Sequence, residues 1–174
     1  NSPLNIFIVG GSLGAQALNE RVPEALALLD IPLKVMHQCG QQQLEQTQQQ
    51  YAAINNSQLD VQVVHFVEDM AQAYANADLM ICRAGALTVT EVATAGVAAI
   101  FVPLPSAVDD HQTANARYLA GHDAAIICPQ ASLTAQSLYA ALAPLMSRDA
   151  LKNMEIKAKQ QAHPHATQKV TDLL

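Results

Sequence analysis

Asp78-Leu-Met-Ile-Cys-Arg-Ala-Gly-Ala-Leu-Thr-Val-Thr-Glu91 decides the reading of this chain. Leu79 to Cys82 is an apolar run of strand length, Gly85 marks a sharp turn, and a helix is expected from near Ala86. A helix start facing out of a parallel sheet offers unpaired N–H groups and partial positive charge, which suits a phosphate. Glu91 falls inside that helix and is the only charged residue between Arg83 and Asp109. A carboxylate buried unpaired is costly, so it needs a partner. One candidate is a ligand with paired hydroxyls, such as a ribose. The other is local, because Thr88-x-x-Glu91 also spells a capping box. The residues of this stretch leave both open.

The same grammar runs through the chain. Ile6 to Val9 ends in Gly10-Gly11-Ser12-Leu13-Gly14-Ala15 and a helical pattern to about Leu29, the opening of a nucleotide-binding α/β unit. Strands are expected at Leu33–Met36, Val61–Phe66, Leu79–Cys82, Ala98–Val102 and Ala125–Cys128. The glutamine-rich Gln41–Gln50 segment is expected to be an exposed helix. Glu68-Asp69 opens a short one through Tyr74, and Asp109-Asp110-His111-Gln112 opens another to about Gly121. After Thr134 the chain reads as helix, interrupted near Ser147 and at Pro164. Short apolar strands alternating with helices predict an α/β fold with a Rossmann-like, doubly wound parallel sheet of about six strands. In the order 3-2-1-4-5-6, strands one and four meet at the topological switch point, where ligands bind. The Gly10–Gly14 loop and the Arg83–Glu91 turn then face one crevice, which points to a diphosphate ligand.

The totals narrow the classes. A chain of 174 residues, 51% hydrophobic, is expected to make one globular domain. A net charge of −6 argues against a dedicated nucleic-acid binder. Cys39, Cys82 and Cys128 lack metal-ligand spacing and fit a reduced, cytoplasmic compartment. No apolar run approaches the roughly 20 residues of a membrane span. The opening directly on a strand reads as a piece of a longer protein without a signal peptide.

Several motifs have competing readings. Gly10-Gly11-Ser12-Leu13-Gly14 is neither G-x-G-x-x-G nor a Walker loop, and Gln38 stands where an adenosine ribose would want an acid, which weakens an NAD reading. Ser12 can donate to a phosphate oxygen or simply cap its helix. Asp109-Asp110-His111 is more easily read as a cap and a solvated acid than as metal ligands. His111 and Gln112 can reach whatever projects from the phosphate end, and Gln112 carries both donor and acceptor for sugar hydroxyls. Arg83 suits a diphosphate, although Asp78 or Glu91 would satisfy it equally. Lys152, Lys157, Lys159 and Lys169 read as a solvated face or as a surface packing back on a further domain.

Five motifs in register resemble the C-terminal domain of the MurG family: Gly10–Ala15, His37–Gly40, Phe66–Ala71, Arg83–Glu91 and Asp109–Ala116. The resemblance implies one half of a two-domain GT-B glycosyltransferase, the half that holds UDP-N-acetylglucosamine. It implies that Glu91 accepts from the ribose hydroxyls. The diphosphate would meet Ser12 and the backbone of Ala86, Leu87 and Thr88, in the crevice where the residues themselves make Gly11, Gly14 and Arg83 candidates. Val67 would pair with uracil through its main chain, and Met70 would pack near the nucleoside. His111 and Gln112 would face the sugar, although some members carry Gln where this chain has His111. The implied whole enzyme is an inverting transferase that converts lipid I to lipid II, peripheral on the cytoplasmic face of the inner membrane. It needs no cofactor or metal. Its acceptor loops, base and membrane-docking patch belong to an N-terminal domain missing here, so this chain would bind donor without catalysing transfer. The readings set against it are a non-catalytic nucleotide-sugar-binding module, a Rossmann oxidoreductase and a sugar-nucleotide epimerase.

Overall fold

The computed structural model describes residues 2–10, 16–105 and 111–173, with side chains through 162. Six strands, β1 (Leu4–Val9), β2 (Leu33–Gln38), β3 (Leu59–Val64), β4 (Leu79–Cys82), β5 (Ala98–Phe101) and β6 (Ala125–Ile127), form one sheet. All pair in parallel, in the expected order β3-β2-β1-β4-β5-β6. Seven α-helices accompany them among the described residues: α1 (Gln16–Ala27), α2 (Leu44–Ala52), α3 (Met70–Asn76), α4 (Ala86–Ala95), α5 (His111–Ala120), α6 (Ala135–Leu142) and α7 (Arg148–Leu173). The break expected near Ser147 falls between a 3-10 turn (Ala143–Leu145) and α7. The break expected at Pro164 does not occur, since α7 runs through it. An interior proline forfeits one intrahelical bond without obliging the turns on either side to stop, and Pro23 sits inside α1 in the same way.

Alternation along the central strands sends side chains into two apolar layers. Ile6, Ile8, Leu79, Ile81, Ala98 and Ile100 join one layer with Leu18, Val22 and Leu26 of α1 and Leu138 and Leu142 of α6. Phe7, Met80, Cys82, Ala99 and Phe101 join the other with Val89 and Val92 of α4 and Ala116 and Leu119 of α5. Every residue of β4 and β5 is buried, so these strands read as unbroken apolar runs. Helix α7 belongs to both layers: Leu151 and Met154 enter the first and Ala158 the second. Toward the β3 edge cover thins. Helix α3 has seven residues, and beside it Lys34, Met36, Asp60 and Gln62 line an open groove of about 650 Å³.

The strand limits differ from expectation mainly on that side. β1 begins two residues early, at Leu4, β2 runs on to Gln38, and β3 is displaced as a whole to Leu59–Val64, so that Phe66 falls outside it; β5 and β6 each end one residue short, at Phe101 and Ile127. Ladder bonds join backbones whatever the side chains, so pairs such as Lys34 with Asp60 extend the strands beyond their apolar runs.

Buried polar groups tie the two first helices to β2. Tyr51 Oη lies 2.6 Å from His37 Nδ1, and Asn19 Oδ1 lies 2.9 Å from His37 Nε2. Asn19 Nδ2 donates to the Cys39 carbonyl at 3.1 Å. Its Oδ1 is therefore an acceptor, His37 Nε2 carries the proton, and Nδ1 accepts from Tyr51. The network is satisfied only with a neutral ring, and burial lowers the His37 pKa from its ordinary 6.5 to about 3. The unfolded chain takes up that proton near its ordinary pKa and the folded chain far below it. Stability from this group is thus complete above the unfolded value and is lost as pH falls toward the folded one, by about 1.4 kcal/mol per unit. Urea unfolding across that window should show His37→Gln losing less stability with acid than the parent chain; parallel losses would contradict the assignment.

Candidate functional site

The crevice lies where β1 and β4 run side by side, with Val9 opposite Cys82. From these strands the sheet is built outward in opposite directions, which leaves a gap beyond their carboxyl ends. Beyond Val9 comes Gly10; Gly11, Ser12 and Gly14 lie outside the described residues, as do Asp109 and Asp110. Beyond Cys82 the chain turns through Arg83, Ala84 and Gly85 into α4. Gly85 is the N-cap of α4 and no side chain caps it. The Val89 N–H reaches the Gly85 carbonyl at 3.0 Å. The N–H groups of Ala86, Leu87 and Thr88 precede that first bond and have no intrahelical acceptor.

Thr88 is the third residue of α4 rather than its N-cap, so the alternative capping-box reading of Glu91 is not realised. Glu91 instead faces α3. Its Oε2 accepts from the Tyr74 hydroxyl at 2.7 Å, and among the described residues no other group donates to this carboxylate. Burial, and then the adjoining Glu91, push the Tyr74 hydroxyl above the ordinary phenol range, so it stays a donor. Oε1 is left for a further partner.

Arg83 turns inward. It is buried, and its Nη1 donates to the Val102 carbonyl at 3.1 Å, tying the turn after β4 to the end of β5. Asp78 sits at the other end of β4, accepting the Asn5 N–H at 2.8 Å and lying 3.8 Å from Arg148 Nη1.

Gln112 and Asn115 of α5 grip the same turn. Gln112 Oε1 accepts the Ala84 N–H at 3.0 Å and the Leu104 N–H at 2.8 Å, and Asn115 Nδ2 donates to the Ala84 carbonyl at 3.0 Å. Both polar groups of Ala84 are thus held from one helix. The Gln112 oxygen expected to serve sugar hydroxyls is committed to backbone, leaving its Nε2 as the group for a ligand. His111 opens α5 and is exposed. Asn115 lies inside the Asp109–Ala116 motif, which by itself assigns it no role. The signal was the i,i+3 spacing from Gln112, which puts both amides on one helix face.

Val67 and Met70 are partly buried against the layer that holds Tyr74. Asp69 caps α3 by accepting the Gln72 N–H at 3.0 Å. The Val67 N–H is not open, because it donates to Gln38 Oε1 at 2.8 Å. Cys39, Cys82 and Cys128 are free thiols, all buried. Among the described residues no three of His, Cys, Asp and Glu gather closely enough to hold a metal ion. None of the described helices is long and apolar enough to cross a membrane.

A six-stranded parallel sheet of this order, with an uncapped helix start at its switch point, is a doubly wound, Rossmann-like fold, and its superposition on a solved MurG makes it one half of a GT-B glycosyltransferase fold. The chain belongs to the glycosyltransferase family 28 C-terminal domain family, whose pattern matches residues 5–170. It is 64% identical over 172 residues to the UDP-N-acetylglucosamine–N-acetylmuramyl-(pentapeptide) pyrophosphoryl-undecaprenol N-acetylglucosamine transferase of Acinetobacter baylyi, covering 99% of this chain and 47% of that protein. The crystal structure of Acinetobacter baumannii MurG superposes with a TM-score of 0.91 at 62% identity, covering 99% of this chain and 52% of that one. Glycosyltransferase VinC, solved in complex with dTDP, shares the fold with a TM-score of 0.68 at 19% identity over 93% of this chain and 38% of its own. The chain spans about half the length of the curated relatives it matches.

Removing the Gln112 oxygen strands two backbone donors. Gln112→Ala should cost about 1–3 kcal/mol in thermal or urea unfolding, and Gln112→Glu, which keeps an acceptor there, should recover most of it. Equal losses in both variants would show that the double acceptance contributes nothing.

Proposed function

We propose that this chain is the donor-binding half of an inverting glycosyltransferase that moves N-acetylglucosamine from UDP onto lipid I, giving lipid II in peptidoglycan synthesis. The observation that carries the nucleotide reading is Glu91: a carboxylate with one oxygen held and one open, beside the uncapped start of α4. The sugar and acceptor come from the names of the relatives that match the whole chain.

In this reading Glu91 Oε1 accepts from the ribose hydroxyls. The diphosphate sits on the N–H groups of Ala86, Leu87 and Thr88, opposite Gly11, Ser12 and Gly14. Arg83 acts from behind, by fixing the turn. Uracil pairs with the Val67 main chain, for which the Gln38 side chain must yield the N–H it holds. Met70 packs against the nucleoside, and His111 with the Gln112 Nε2 meets the sugar. An acceptor hydroxyl, deprotonated by a base, attacks the anomeric carbon, and charge develops on the departing diphosphate. A helix start already aimed at that diphosphate stabilises the charge as it forms. Base and acceptor site belong to an N-terminal domain, which would also carry the contact with the cytoplasmic face of the membrane.

Titration with UDP-N-acetylglucosamine tests the reading. Glu91→Ala should lose about 1.5–3 kcal/mol of binding, the worth of hydrogen bonds to a charged group, or roughly 10- to 150-fold in affinity. Unchanged affinity in a folded variant would remove Glu91 from the site. The 174-residue chain mixed with donor and lipid acceptor should form no product, and robust transfer by it alone would place the base within this half.

A further inference from the structure

We propose that Tyr74 is a positioning residue for nucleotide recognition: it orients the Glu91 carboxylate so that Oε1 meets the ribose, and so links the ribose contact to the segment that meets the base. This rests on the ribose reading of Glu91 given above.

Glu91 is half-buried on the flank of α4, on a side chain with three rotatable bonds. Left alone, its carboxylate would sample several orientations, and ordering it on binding would cost affinity. Tyr74 removes that freedom. Its ring is buried in the layer with Phe7, Val89 and Val92, and its hydroxyl donates to Oε2 at 2.7 Å. The bond is charge-assisted and therefore among the stronger kinds. Thr90, the preceding residue on α4, is engaged elsewhere, its Oγ1 donating to the Ala86 carbonyl at 3.0 Å.

The position of Tyr74 on its own helix matters as well. Met70 and Tyr74 stand four residues apart on α3 and so share one face. Val67 and Met70 pack against the layer that buries Tyr74. One short helix therefore carries the nucleoside contact at its start and the ribose brace a turn later. A base drawn against Val67 and Met70 holds α3 in place, and α3 holds Glu91.

The test compares UDP with 2′,3′-dideoxyuridine diphosphate by calorimetric titration of the parent chain, Tyr74→Phe, Glu91→Ala and the double variant. Tyr74→Phe deletes one oxygen and no carbon. The readout is the ratio of two affinities on the same protein, which partial unfolding does not change. The parent is expected to prefer UDP by about tenfold or more, and Tyr74→Phe to lose much of that preference while binding the dideoxy nucleotide as before. On the Glu91→Ala background Tyr74→Phe should change neither affinity. Equal weakening toward both nucleotides would make Tyr74 a merely structural residue and overturn the proposal. So would an undiminished preference in Tyr74→Phe when Glu91→Ala abolishes it, which leaves the ribose reading standing. A parent chain that does not distinguish the two nucleotides, with Glu91→Ala silent, would sink both.

Discussion

The architecture of the crevice depends on one pairing, β1 against β4. Four consecutive pairs, Ile6 with Leu79 through Val9 with Cys82, join strands that lie 73 residues apart in the chain. Both strands send alternate side chains into both apolar layers, so neither can slide without moving its whole set of contacts to the opposite face. With that register fixed, the turn after Cys82 has only one place to emerge. The buried link to Val102 and the part-buried ones to Gln112 and Asn115 then hold it there. Among the described residues, the turn after β4 is tied to the end of β5 and to α5, and the end of β2 is tied to the segment after β3.

A division of labour follows from those ties. Several polar side chains around the crevice serve the protein's own backbone: Gln112 Oε1 takes two N–H groups, Asn115 one carbonyl, and Gln38 the Val67 N–H. The groups left to face outward at the head of α4 are main-chain donors. Preorganised backbone dipoles need no rearrangement when charge arrives, which is the condition under which they are most effective.

What could be read beforehand and what could not divides along physical lines. Leu79–Cys82 was legible to the residue because a strand buried on both faces has no choice but an unbroken apolar run. The parallel, doubly wound sheet followed from the alternation of strands and helices, which does not by itself choose among strand orders, and the glycine turn with its helix start followed from Gly85. Glu91 stood out as a lone acid, but its partner did not. Tyr74 is 17 residues away on another helix, and no local spacing connects them. Thr88-x-x-Glu91 misled for the opposite reason: a capping pattern is local, and a shift of three residues in the helix start voids it. The inward turn of Arg83 and the occupied oxygen of Gln112 were equally hidden, since both answer to carbonyl and amide groups that only the assembled sheet brings within reach.

Helix α7 has a role that its surface lysines obscure. Leu151 and Met154 are set in one apolar layer and Ala158, a turn further on, in the other. The layers on the two sides of the sheet, already joined through the alternating side chains of the strands, are therefore joined a second time by this late helix. The side chains that complete both layers thus include some, at Leu151 to Ala158, that lie far later in the sequence than the strands they cover.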